Sequence, residues 1–64
     1  MKLTEQEKRA FKLFAIGHSI SEISLIMDMS YQQAVNVMNN IVAKSPYKTA
    51  KDLYVNANSI EIED

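Results

Sequence analysis

Cysteine and tryptophan are absent from this 64-residue chain, and glycine and proline occur once each. Without cysteine there is no disulfide and no thiolate metal site. A chain this short buries only roughly 60% of its unfolded surface, so it depends on its own small core or on a partner for stability. The single Gly rules out a glycine-rich phosphate loop, and no paired-carboxylate or nucleophile motif is present. His18, the one histidine, follows Gly17 and has no cysteine or second histidine to join it, and reads as a helix-end residue rather than a metal ligand. No apolar run approaches the roughly 18 residues a membrane helix needs. The opening Met-Lys-Leu-Thr-Glu lacks the apolar stretch of a signal peptide. The expectation is a non-enzymatic cytoplasmic chain with no metal, cofactor, membrane contact or small-molecule ligand.

Positive charge is also missing from the middle. Between residues 13 and 43 there is no Lys or Arg. The basic residues fall into a front group, Lys2, Lys8, Arg9 and Lys12, and a rear group, Lys44, Lys48 and Lys51. The formal net charge is −1, but Glu61, Glu63 and Asp64 hold three of the eight acids. Residues 1–57 carry seven Lys or Arg against five acids, a net of +2. Distribution therefore matters more than the total.

What the chain does have is helix punctuation. Scarce Gly and Pro, 47% hydrophobic residues and no alternating strand pattern indicate an all-α fold. Thr4 with Glu7 has the spacing of a capping box, in which each side chain satisfies a free backbone N–H, and Leu3 precedes it as a staple. Ala10, Phe11, Phe14 and Ala15 then recur at helical spacing, and Gly17 supplies a left-handed stop. Ser19 with Glu22 opens a second helix, from about Ile20 to Met27, with Ile23 and Met27 inward. Asp28-Met29 makes a turn, with Met29 directed to the core. Ser30 with Gln33 opens a third helix, from about Tyr31 to Lys44, buried along Ala34, Val37, Met38, Ile41 and Ser45. Pro46 interrupts, and Thr49 with Asp52 starts a fourth helix holding Ala50, Leu53, Tyr54 and Ala57. Residues 1–57 thus form one domain, and 58–64 an acidic, frayed tail in which Ile60 and Ile62 are too few to build an element.

Two capped starts eleven residues apart leave room for about two turns of helix and a corner, the spacing of a helix-turn-helix. Leu3-Thr4, Glu7, Phe11, Leu13, Ala15, Gly17, Glu22-Ile23, Met27, Ser30, Ile41 and Lys44 together resemble the pattern of the LuxR/GerE-type DNA-binding domain, without a gap over about residues 3–57. The resemblance implies a four-helix helix-turn-helix domain that reads double-stranded DNA as a dimer, with helix three in the major groove and helix four pairing subunits. Positions matching the family's base-reading residues are Val35, Asn36 and Asn39, with Lys44 near the phosphate backbone. There are departures. Gln6 replaces an Arg, Gln33-Ala34-Val35-Asn36-Val37 replaces T-V-x-x-H, and Ala50 replaces the Arg that commonly opens helix four.

The expected base contacts are Gln32, Val35, Asn36 and Asn39, since an Asn amide can bond both N6 and N7 of adenine and Val can meet a thymine methyl. The expected phosphate contacts are Ser30, Tyr31, Gln33, Lys44, Lys48 and Lys51. Few cations near the groove imply weak binding by a monomer. Leu53, Tyr54 and Ala57 are the expected dimer face. Ile16, Ile20, Leu25 and Ile26 are apolar where relatives are usually polar. Leu25 and Ile26 cannot both point inward along with Ile23 and Met27, so part of this group should be exposed. This points to an alternative: a protein-interaction regulator that keeps the fold, has weakened or lost DNA binding, and pairs with a larger transcription factor.

Overall fold

A computed structural model describes residues 1–63, and Asp64 of the acidic tail lies outside them. Among the described residues the chain folds into α1 (Glu5–Ala15), α2 (Ile20–Ile26), α3 (Tyr31–Lys44) and α4 (Ala50–Val55), followed by one 3-10 turn at Ala57–Ser59. The all-helical architecture follows from the punctuation. Thr4/Glu7, Ser19/Glu22 and Ser30/Gln33 all close as reciprocal capping boxes. Each N-cap replacement by Ala would cost about 1 kcal/mol. At α4 only half a box forms: the Thr49 hydroxyl accepts from Asp52 N–H at 3.1 Å. The missing reciprocal bond suits the side chain, because Asp is one methylene shorter than the Glu or Gln a box uses.

Two helix ends share one device. After α1, Gly17 N–H donates to Phe14 C=O at 3.1 Å and His18 N–H to Leu13 C=O at 3.1 Å. After α2, Asp28 N–H donates to Leu25 C=O at 3.3 Å and Met29 N–H to Ser24 C=O at 2.9 Å. Both are Schellman motifs, which need a left-handed residue just past the helix. Gly17 adopts φ 108° and Asp28 adopts φ 54°. Asp tolerates this region better than most non-glycine residues, because its short polar side chain can bond locally. The second motif sets the corner between α2 and α3, turning Met29 back so that it packs on the core.

Helix α3 is the hub. Its 14 residues pack against α1, α2 and α4. At 1.5 Å per residue it is about 21 Å long, most of the molecule's 27 Å long axis. The stripe Ala34, Val37, Met38 and Ile41 is buried, and its last three residues join Phe11 and Ala10 of α1, Ile23 of α2 and Leu53 of α4 in one cluster. Ile23, Ile41 and Leu53 are wholly enclosed, each contributing about 1.5–3 kcal/mol of burial.

Three expectations differ from the structure. Ile20 is half-buried and packs on the core rather than standing exposed. Leu53 and Ala57 are buried in the chain's own core, so neither is available as a dimer face. The tail, expected to fray from Asn58, instead turns back. The Met1 ammonium donates to Glu61 C=O at 2.9 Å, Glu63 N–H donates to Met1 C=O at 2.9 Å, and Lys2 and Glu63 form a parallel bridge. Ile60 and Ile62 reach the core alongside Met1. Two apolar residues cannot make an element alone, but they suffice when a second terminus supplies hydrogen-bond partners and a surface to cover.

Candidate nucleic-acid interface

Burying Ala34, Val37, Met38 and Ile41 forces the opposite side of α3 outward. At 100° per residue, Gln32, Asn36, Asn39 and Ala43 fall on that outward stripe, flanked by Asn40 and Val35. All are exposed except Val35, which is half-buried. The stripe bears no charge. Gln32 Nε2 donates to Asn36 Oδ1 at 3.0 Å, a bond across one helical turn. Such an exposed pair contributes about 0.2–0.5 kcal/mol and orients the amide it holds. All four residues assigned to base contact therefore lie on one side of α3.

The electrostatic setting is simple. From residue 29 to residue 51 the chain contains no Asp or Glu, while Lys44, Lys48 and Lys51 all fall within it. This run of neutral and basic residues is legible in the sequence. It is a more telling signal than the gap in cations, because it means no carboxylate from α3 or the α3–α4 link repels an anion. Lys48 and Lys51 are exposed and make no ion pair among the described residues.

Lys44 is different. Its ammonium donates to Glu7 Oε1 at 2.6 Å, tying the end of α3 to the first turn of α1. The Lys44 side chain is 42% exposed and that of Glu7 only 7%. Oε1 of Glu7 also accepts from Thr4 N–H at 2.9 Å. Burial pushes the Glu7 carboxyl pKa up, but Lys44 and the Thr4 bonds outweigh it and hold the group below its ordinary value. Lys44 thus neutralises a buried carboxylate, which leaves Lys48 and Lys51 as the cations of the carboxylate-free stretch that make no ion pair among the described residues.

At the start of α3, Ser30 Oγ accepts from Gln33 N–H at 3.1 Å and Gln33 Oε1 from Ser30 N–H at 2.9 Å. The Ser30 hydroxyl proton and the Gln33 Nε2 group remain available to donate, and Tyr31 is 56% exposed beside them. A shallow depression of about 330 Å³ borders the amide stripe, walled by Gln6 of α1, Asp28 of the turn, and Gln33, Asn36 and Asn40 of α3. It is a polar hollow continuous with the outer face.

The apolar residues divide. Ile16, the cap residue after α1 (75% exposed), and Leu25 (81%) and Ile26 (48%) of α2 stand in solvent, and the crowding of α2 bears on the latter two alone. On α4 the exposed apolar residues are Tyr54 and Val55, and Val55 was not among those expected. The Tyr54 ring packs edge-on against Phe14 at 5.6 Å between centroids and 75° between planes. His18 Nδ1 lies 3.7 Å from Glu22 Oε1 beside the α2 cap. Among the described residues no group of three or more His, Cys, Asp or Glu is placed to hold a metal ion, and no helix is long and apolar enough to cross a membrane.

No family model, curated protein or solved structure matches this chain.

Proposed function

We propose that this chain is a small transcriptional regulator of LuxR/GerE type that binds duplex DNA, with α2, the Asp28 corner and α3 acting as a helix-turn-helix and α3 lying in the major groove. The observation that carries this reading is the outward side of α3. It carries the exposed amides Gln32, Asn36, Asn39 and Asn40 in a 23-residue stretch without a carboxylate, in which Lys48 and Lys51 follow the helix in the chain. Amides that can both donate and accept suit base edges, and lysines beside them suit phosphates. In the cytoplasm such a chain would work as a dimer, since two or three cations per subunit give only weak electrostatic affinity. Tyr54 and Val55 are the exposed residues of α4 that fit such a pairing.

Titration with duplex DNA over a salt series tests the reading. The logarithm of the binding constant should fall linearly with that of salt, and Lys48→Ala with Lys51→Ala should flatten the slope by about 0.9 for each phosphate that is no longer neutralised. Absence of binding at about 50 mM salt, where the electrostatic contribution is large, would overturn it. A second reading draws on the exposure of Ile16, Leu25 and Ile26. There the chain is a protein-interaction regulator, an anti-activator or heterodimer partner of a larger transcription factor, and DNA binding is weakened or lost. A complex that survives Leu25→Glu would count against that surface.

A further inference from the structure

Building on the DNA-binding reading, we infer that the Gln32–Asn36 amide pair selects an A·T base pair and that this domain discriminates against G·C at that position. Three features of α3 lead there. First, the outward stripe contains Gln32, Asn36, Asn39 and Asn40 but no Arg or Lys. The commonest way to recognise guanine in the major groove is an Arg or Lys donating to both O6 and N7. That interaction needs two donors, and this face has no cation to make it.

Second, the amide of Asn36 is already oriented. Gln32 Nε2 occupies one lone pair of Asn36 Oδ1 at 3.0 Å. The other lone pair and both Nδ2 protons remain free. Adenine offers in the major groove an N6 donor and an N7 acceptor, which match that remaining acceptor and donor one for one. Guanine offers two acceptors at the same edge, so Asn36 Oδ1 would face O6 or N7 without a proton between them. Flipping the amide only exchanges which of the two guanine acceptors meets Oδ1, so neither orientation satisfies both.

Third, Val35 lies at the edge of the same side, one residue from Asn36, and is half-buried, so its position is held by packing. A fixed apolar group beside the amide fits the thymine C5-methyl, which no G·C pair presents.

The experiment is selection of bound duplexes from a pool with randomised central positions, using the full chain, followed by affinities for the selected site and single-position variants across a salt series. The wild type should prefer A·T at one position. Asn36→Ala should reduce that preference by roughly 5- to 150-fold with the salt slope unchanged. Gln32→Ala should reduce it by about twofold, the value of an exposed amide pair. Asn36→Arg should move the preference toward guanine. Both residues are exposed on an otherwise intact helix, so helicity by circular dichroism should be unaffected. If the wild type binds every duplex equally, prefers G·C, or keeps its A·T preference in Asn36→Ala, the inference is overturned while DNA binding stands. If no duplex binds at about 50 mM salt, both the inference and the reading beneath it fall.

Discussion

Replacing Lys44 with Met separates its tie to Glu7 from the phosphate contact expected of it. In the folded chain the Lys44 ammonium sits 2.6 Å from Glu7 Oε1, and the Glu7 side chain is 7% exposed. Removing one partner of a fully buried pair costs about 3–5 kcal/mol. Here the cost is smaller, because Lys44 itself is 42% exposed and Glu7 keeps the Thr4 N–H bond at 2.9 Å. A charged hydrogen bond removed from the exposed side of a buried carboxylate is worth about 1.5–3 kcal/mol; with solvent free to reach part of the gap, about 1–2 kcal/mol remains. For a domain of this size each kcal/mol lowers Tm by about 4–8 °C. Thermal and urea melts at pH 7, followed by circular dichroism, should show Lys44→Met melting roughly 4–16 °C below the wild type. A double-mutant cycle with Glu7→Gln should recover most of the loss, since a neutral amide leaves no charge to compensate. On DNA, the salt slope of Lys44→Met should equal that of the wild type, measured where both are folded. Unchanged melting together with a shallower salt slope would refute the argument and return Lys44 to the phosphate backbone.

Three further outcomes can be checked with the same melts. Glu7 has a folded pKa below its ordinary value of 4.5, so the stability it contributes is fully present above that value and is lost as pH falls toward the lowered one. Glu22, held down chiefly by the Ser19 N–H against slight desolvation, with the Ser19 hydroxyl and His18 adding to it, acts in the same direction. An acid titration of stability should therefore steepen below pH 4.5, and Glu7→Gln should flatten it; an identical profile would exclude Glu7 as a source. Gly17→Ala should cost about 1–2 kcal/mol, entirely from backbone strain at φ 108°. The nearest atom to an added Cβ is the Tyr54 hydroxyl at 4.0 Å, which leaves it room. Leu25→Glu should change stability by less than about 0.5 kcal/mol, because the side chain is 81% exposed; a large loss would mean that Leu25 packs on something within the chain.

Signals that act within one turn of helix were readable from the residues alone. The three capping boxes, the Gly17 stop and the span of α3 depend on side chains and backbone groups three or four positions apart, and that distance is the same in sequence and in space. The buried stripe of α3 was equally plain, since one helix has one periodicity. So was the exposure of part of the apolar surface of α2, because a helix carrying Ile23 and Met27 inward cannot also bury both Leu25 and Ile26; that both stand out was decided by the fold. The composition of the α3 face, rich in amides and without charge, comes from the same source.

Contacts between distant segments were decided by packing. Glu7 and Lys44 are 37 residues apart, and no local rule says which lysine a carboxylate of the first turn will meet. Only the crossing of α1 and α3 removes Lys44 from the free cations and leaves Lys48 and Lys51. Leu53, Tyr54 and Ala57 were expected to form a dimer face, yet the core takes up Leu53 and Ala57, the latter in the 3-10 turn beyond α4, and leaves Tyr54, joined by Val55, in solvent. The tail is ordered through Met1 and Lys2, at the opposite end of the chain. Local hydrogen-bond chemistry selects the helices and aims the amides of α3 outward; which charges and apolar groups remain beside them depends on whichever remote surface arrives to cover the rest.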